Sequence, residues 1–171
     1  MQQARAFINA STSCRLLDAG IDELWGDRFA MLGERTAIVA ATGLRPQDRF
    51  TNAKAYRLLV DHTFCAFAVD APREAGVYAW WVDGELVYIG RASSLRNRLS
   101  AQYGRVSPRH PFEGGQIQKC RINSRLNLAL AGGKLVEVSW RCCEDFQAME
   151  RHLLEAHRPP WNIRRARPGR E

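Results

Sequence analysis

Two tyrosines and a downstream arginine are the first residues in this sequence whose spacing suggests chemistry. Tyr78 and Tyr88 lie ten residues apart, with the turn dipeptide Asp83-Gly84 between them. Because this dipeptide favours a tight hairpin, paired strands would bring the two phenols close together. Gly90 has no side chain, so the backbone can approach a ligand there, and Arg98 follows eight residues later. A phosphate group near Tyr88 would therefore meet a guanidinium.

The segments that would position these side chains show alternating strand and helix patterns after Pro72. Pro72 stops a helix and pushes the preceding residue towards extended geometry, so a module boundary is expected near it. Tyrosines on one face of a sheet are more often packing residues than catalytic ones, and this interpretation stays open at this point. The periodicity predicts strands over 76–82, 85–90 and 134–142, helices over 94–103, 116–131 and 144–157, and an ordered loop over 104–115.

The first part of the chain has a different pattern. Residues 7–69 have mainly helical periodicity, and 52–67 in particular are expected to form one amphipathic helix. The sequence therefore predicts a helical N-terminal extension over 1–71, a catalytic domain over 72–163 and a basic tail over 164–171.

The overall charge of the chain favours a polyanionic partner. The 171 residues include 25 Lys+Arg against 18 Asp+Glu, a net charge of +7, and the positive charge is concentrated in the last two thirds. Such a balance is typical of nucleic-acid-binding proteins, although an ordinary basic enzyme would share it. The apolar and charged fractions exclude a disordered or fibrous chain.

Cysteine usage and hydropathy indicate the compartment. Five cysteines form an odd set without a CxxC pair, so we expect reduced, mostly buried thiols rather than disulfides or a zinc site. The N-terminus lacks a signal-peptide pattern, and no stretch reaches the 18 or so apolar residues that a membrane span needs. A cytoplasmic protein with DNA as its polyanion is the expectation.

Five short motifs, taken in order, resemble those of the GIY-YIG nuclease superfamily. They are Gly76-Val77-Tyr78, Val87-Tyr88-Ile89-Gly90, Arg98, Glu150, and Asn162 directly after Pro159-Pro160-Trp161. The resemblance covers 76–162 and includes the spacing as well as the residue types. It implies an α+β fold, with a three-stranded antiparallel sheet flanked by helices, to which the helical N-terminal element would be added.

The resemblance also implies a role for each motif residue in metal-dependent hydrolysis of phosphodiester bonds. Glu150 would bind the single divalent ion, Mg²⁺ or Mn²⁺, and Arg98 would hold the scissile phosphate. Tyr78 would act as general base or orient the water, and Tyr88 would position the water or the phosphate. Asn162 would support the local geometry. These positions select Glu150 over its helix neighbours Glu144 and Glu155, and Arg98 over Arg96.

The chain departs from the family pattern at two positions. Arg91 stands where many members have a lysine, so a mechanism that uses a neutral lysine there is in doubt. Gln102 stands where some restriction enzymes have a histidine. Residues beyond the small family core suit contacts with DNA, either reading bases or anchoring phosphates. The predicted DNA-binding residues are Arg91, Arg105, Ser107, Arg109, Gln116 and Lys119.

The sequence thus predicts a metal-dependent DNA endonuclease that uses one metal ion, with a restriction-type role slightly favoured. Two alternatives stay open: a structure-specific DNA repair nuclease, and a catalytically silent DNA-binding module. A restriction role needs cuts in two strands, which requires a homodimer or sequential nicking.

Overall fold

The structure is a computed structural model that describes residues 32–49, 59, 61–113 and 116–162. Six strands are described: β1 (Thr36–Ala37), β2 (Ala41–Leu44), β3 (Phe64–Ala66), β4 (Gly76–Val82), β5 (Glu85–Ala92) and β6 (Val136–Cys142). The helical segments are a 3-10 helix (Pro46–Arg49), a π-helix (Asn97–Tyr103), α1 (His110–Glu113), α2 (Ile117–Ala131) and α3 (Phe146–His157). The fold is α+β, as predicted.

The main sheet is antiparallel and has the strand order β1-β6-β4-β5. Its three long strands are the predicted ones, and the two-residue strand β1 adds a fourth at the edge of β6. All seven residues of β4 are buried. This central position explains why the sequence of β4 is an almost continuous apolar run, since both of its faces are covered.

The hairpin between β4 and β5 closes as the Asp-Gly signal predicted. Asp83 and Gly84 both have positive φ, 50° and 80°, as the central residues of a type I′ turn do. Asp83 also fastens the turn to the start of β6. Its backbone N–H donates to the Leu135 carbonyl at 2.8 Å, and its side chain accepts from the Leu135 N–H at 3.0 Å.

Two apolar cores lie on the two faces of the sheet, because alternate residues of β4 point to opposite sides. On one face Tyr78 and Trp80 pack with residues of the π-helix and α2, including Leu99 and Leu126. On the other face Val77, Ala79 and Trp81 pack with α3 through Leu153. The catalytic-type residues of the sheet and of the helices are therefore fixed by two well-filled cores.

The helical prediction for the N-terminal part is wrong for several residues that the structure describes. β2 and β3 form a separate two-stranded antiparallel sheet, and β3 lies inside the stretch 52–67 that was expected to be one helix. Asn123 of α2 explains the strand conformation: it accepts from the Cys65 N–H at 3.0 Å and donates to the Cys65 carbonyl at 2.8 Å. The bonds to β3 come from a helix that is distant in sequence, so the local periodicity of 52–67 could not predict them.

Smaller differences concern element ends. β5 continues beyond Gly90 to Ala92, and the predicted loop over 104–115 contains the short helix α1. The predicted helix over 94–103 is present, but most of it is a π-helix. Predictions for 1–31, the rest of 50–60 and the tail from 163 onwards fall outside the described residues. No helix in the described part of the chain is long and apolar enough to span a bilayer.

Candidate active site

Three tyrosines meet on the α2 face of the sheet, two of which the sequence analysis singled out. The register sets Tyr78 opposite Gly90, and its ring centroid lies 6.3 Å from that of Tyr88. The Tyr78 ring fills the space beside Gly90: a Cβ there would collide with its hydroxyl and lie 2.6 Å from its Cζ. Gly90 is therefore needed for the approach of Tyr78, where a ligand had been expected.

Tyr103 is the third tyrosine, and it lies outside the motifs from which the site was predicted. Its hydroxyl lies 3.0 Å from that of Tyr78, at hydrogen-bond distance, and it is 1% exposed. Tyr103 follows Arg98 by five residues, which in an α-helix would put the two on different faces, since residues three and four apart are the neighbours there. A π-helix instead stacks residues about five apart. The hydrogen bond from the Gly104 N–H to the Leu99 carbonyl, five residues back, shows this wider winding.

Burial disfavours the phenolate form of all three tyrosines. It is the main cause that raises the pKa of Tyr78 far above its usual value, and it raises the pKa of Tyr88 and of Tyr103 as well. The positive charge of Arg98 works against this rise at Tyr78 and Tyr88, whereas the Glu150 carboxylate adds to it. Both charged groups are thus within electrostatic reach of the tyrosines. Tyr88, which is only partly buried, is the most accessible of the three phenols.

Arg98 is half-buried beside the tyrosines, and its Nε has no hydrogen-bond partner within the described part of the chain. An unpaired buried donor is costly and calls for an explanation, because buried polar groups are nearly always hydrogen-bonded. Lys119 of α2 lies close enough for Arg98 to lower the pKa of its ammonium, after the larger effect of burial. The positive charges of Arg98 and Lys119 together make this place suited to an anionic group.

Glu150 projects from α3 towards the outer strand β5, where it forms an ion pair with Arg91. The Arg91 Nε lies 3.2 Å from one carboxylate oxygen, Oε2. Burial raises the pKa of Glu150, while the charges of Arg91 and Arg98 oppose the rise. Arg91 was predicted to contact DNA; in the structure it contacts Glu150.

The residues around Glu150 fit a hard divalent ion of the Mg²⁺ type. Such ions often bind through one carboxylate and keep several waters, so a single glutamate is a sufficient protein ligand. No group of three or more His, Cys, Asp or Glu side chains suited to a metal occurs among the described residues. The donor set that the structure describes at Glu150 fits a one-carboxylate site.

Asn162 supports the strand that carries Tyr88. Its side chain accepts from the Ile89 N–H at 2.9 Å and donates to the Ile89 carbonyl at 2.7 Å, while the Trp161 N–H donates to the Val87 carbonyl. The segment thus satisfies backbone groups along the open edge of β5, as a further strand would. The role of Asn162 in catalysis stays a prediction; the contacts that the structure describes are to β5.

Of the other predicted DNA-contacting residues, Lys119 lies near Arg98, whereas the remaining four belong to the segment before α2. The Ser107 hydroxyl accepts from the Arg109 N–H and belongs to a local turn, whereas Arg105 and Arg109 are exposed. The Gln116 side-chain oxygen is buried without a partner in the described structure. The catalytic-type residues come together, but these positions do not form one cluster with them.

Comparisons with known proteins agree with the motifs. No protein-family model matches the chain. The chain is 27% identical over 99 residues to the UvrABC system protein C of Treponema pallidum (strain Nichols), a match that covers 56% of this chain and spans only 12% of that relative's length.

The chain is also similar to solved structures of a bacteriophage protein and of a bacterial endonuclease domain. One is a bacteriophage T4 EndoII mutant, 24% identical, covering 58% of this chain and 82% of that one with a TM-score of 0.47. Another is the GIY-YIG N-terminal endonuclease domain of UvrC from Thermotoga maritima, bound to its catalytic divalent cation, 26% identical, covering 56% of this chain and 89% of that one with a TM-score of 0.37. The sequence match to protein C and the motifs agree: the chain resembles the GIY-YIG nuclease superfamily.

Proposed function

We propose that this chain is a metal-dependent DNA endonuclease that hydrolyses phosphodiester bonds with one divalent ion. The observation that carries the proposal is the convergence of Arg98, whose buried Nε lacks a partner, with the tyrosines and the Glu150 carboxylate. Hydrolysis of a phosphodiester needs a bound phosphoryl group, an activated water and stabilisation of negative charge. The site contains a residue type for each need. The net charge of +7 and the resemblance to the GIY-YIG nucleases support DNA as the substrate.

Arg98 would bind the scissile phosphate. The guanidinium of this half-buried side chain can donate charge-assisted hydrogen bonds to a phosphoryl oxygen, and Lys119 adds a second positive charge nearby. Binding of the phosphate would supply the partner that Arg98 lacks and hold the phosphorus against the tyrosines.

Glu150 would hold the divalent ion, Mg²⁺ or Mn²⁺. The ion pair with Arg91 engages Oε2, which leaves the other carboxylate oxygen for a metal. A divalent ion bound there supplies positive charge that stabilises the phosphoryl oxygens and favours a phenolate or hydroxide nearby. Arg91 would keep the glutamate oriented through this contact.

The tyrosines would handle the attacking water. Tyr78 would be the general base or the water-orienting group that the motif implies. It is 1% exposed and its pKa is raised by burial, so it needs nearby positive charge to release a proton. Tyr88 is the accessible phenol and would contact the water directly. Tyr103 would orient Tyr78 through the bond between their hydroxyls.

The decisive experiment compares Glu150→Ala with the matched control Glu155→Ala, an exposed glutamate on the same helix. We expect Glu150→Ala to slow Mg²⁺-dependent nicking of supercoiled plasmid by about 10³-fold, because the metal loses its protein ligand, while DNA binding in EDTA is unchanged. Glu155→Ala should cut at the wild-type rate. Equal rates for the two variants, or cutting by the wild type in EDTA, would contradict the proposal.

A restriction-type role stays a prediction, and the substrate decides it. Discrete fragments from intact plasmid would support restriction, possible only if two cuts are made by a dimer or in sequence. Cleavage confined to flap or bubble substrates would support structure-specific repair instead.

A second candidate function is a silent DNA-binding module, which the Arg91–Glu150 ion pair favours because it already neutralises the carboxylate. This candidate predicts tight DNA binding with no cutting of any substrate in Mg²⁺ or Mn²⁺.

A further inference from the structure

A basic groove lies beside the π-helix and is separate from the tyrosines. It has a volume of about 360 Å³. Phe67, Ala68 and Ala101 give it apolar parts, and the remaining lining residues are basic or polar: Arg73, Arg96, Arg105, Ser94, Asn97 and Ser100. Three arginines and no acidic side chain line this surface, which makes it suited to an anionic ligand.

Two of the three arginines are available to a ligand. Arg96 is fixed, since its Nε donates to the Ala71 carbonyl at 2.9 Å and its guanidinium pairs with Asp70 at 3.1 Å. Arg73 and Arg105 are exposed and make no hydrogen bond or ion pair with any residue that the structure describes. The groove therefore has one positioned arginine and two whose donors face solvent.

The groove and the candidate active site use different faces of the same helix. Asn97, Ser100 and Ala101 line the groove, whereas Arg98 and Tyr103 face the other tyrosines. Ser100 also fixes the helix to the segment before β4, since its hydroxyl donates to the Val69 carbonyl at 2.6 Å and accepts from the Val69 N–H. The two anion-binding surfaces thus have a rigid connection.

We propose that this groove binds backbone phosphates of DNA next to the phosphate held by Arg98. The proposal rests on the proposed function for its ligand class. A helix about 10 Å across separates the two surfaces. Asn97, which lines the groove, directly precedes Arg98 in the chain, and successive phosphates of one strand follow each other about every 3.4 Å along the duplex axis. Arg73 and Arg105 would each neutralise one phosphate, and Asn97 would donate from its amide.

The test measures binding without cleavage. Fluorescence anisotropy of a labelled duplex in EDTA, at several salt concentrations, is compared for the wild type and for Arg73→Ala/Arg105→Ala. We expect about tenfold weaker binding and a log K against log salt slope that is shallower by about 1.8, since each lost phosphate contact removes about 0.9. Arg73→Lys/Arg105→Lys should restore most of the slope, which separates charge from packing.

Lys134→Glu is the matched control. It also changes the net charge by two, but Lys134 pairs with Asp83 at the distant β4–β5 turn. The control should keep the wild-type slope. An equal slope for the wild type and the double arginine variant overturns the proposal. Failure of the wild type to cut would refute only the proposed function, because this assay needs no cleavage.

Discussion

The β4–β5 hairpin and the β2–β3 pair are both antiparallel two-strand units, yet they are held in different ways. In the hairpin the turn residues, the apolar content and the burial all favour the same structure. β3 is three residues long, and its backbone is held by the Asn123 amide of α2. The first unit is specified by its own sequence and the second by a distant helix.

The β2–β3 pair is held by two residues one turn apart on α2, Asn123 and Asn127. The Asn123 amide also donates to the Tyr103 carbonyl at 2.7 Å, so it joins β3 to the end of the π-helix. Asn127 accepts from the Gly43 N–H of β2 and donates to the Thr63 hydroxyl. Removing either residue should thus disturb the β2–β3 unit and leave the hairpin intact.

Asn123→Ala is the change with the largest expected effect on stability. It removes three hydrogen bonds at a residue that is fully buried and leaves backbone groups of Cys65 and Tyr103 unpaired. We expect the free energy of unfolding to fall by about 3 kcal/mol, measured by urea denaturation.

Asn127→Ala is the matched control for this change. Its two bonds are only partly buried, so about 1.5 kcal/mol is expected. In both variants, hydrogen exchange of the backbone amides should become faster in β3 and stay slow in β4. Equal losses for the two variants would contradict the larger contribution assigned to the three buried bonds of Asn123.

Gly90→Ala tests the hairpin side of the comparison and should have an intermediate effect. The added methyl would collide with the Tyr78 hydroxyl and approach the Tyr88 ring within 2.9 Å, so the buried phenols must shift. We expect a loss of about 2 kcal/mol in the free energy of unfolding. The nicking rate should fall by more than the loss of folded protein explains. A variant with wild-type nicking would show that the arrangement of Tyr78 beside Gly90 is not needed for cleavage.

Thiol labelling compares the β2–β3 pair with the main sheet and needs no change of sequence. Burial raises the pKa of Cys65 in β3 to about 12, so at pH 8.5 it is almost entirely protonated. Cys142, at the end of β6, is exposed, and burial raises its pKa as well, with a contribution from Glu74. Iodoacetamide should modify Cys142 first, as read by peptide mass mapping.

The labelling order also reports on Asn123. In Asn123→Ala the rate at Cys65 should rise, because opening of β3 exposes the thiol, while the rate at Cys142 stays the same. Faster labelling of Cys65 than of Cys142 in the wild type would contradict the buried position of β3.

Most of the main sheet and much of the candidate site could be predicted from the sequence. The Asp83-Gly84 turn, the alternation in β6 and the acidic start of α3 are local signals, and they gave the strands and helices that carry Tyr78, Tyr88 and Glu150. Tyr103 could not be found in this way. An α-helix would turn it away from Arg98, and the switch to π-helical winding has no simple sequence signal.

The sequence by itself determined the order, spacing and chemical types of the motif residues, because strand alternation and turn chemistry are short-range properties. Tertiary structure decided the rest: the placement of Tyr103 against Tyr78, the Arg91 contact with Glu150, and the strand conformation of Phe64–Ala66. Each of these depends on groups from elements distant in sequence. Burial against those distant groups and hydrogen bonds with them stabilise the three features, and both exist only once the two faces of the sheet are packed.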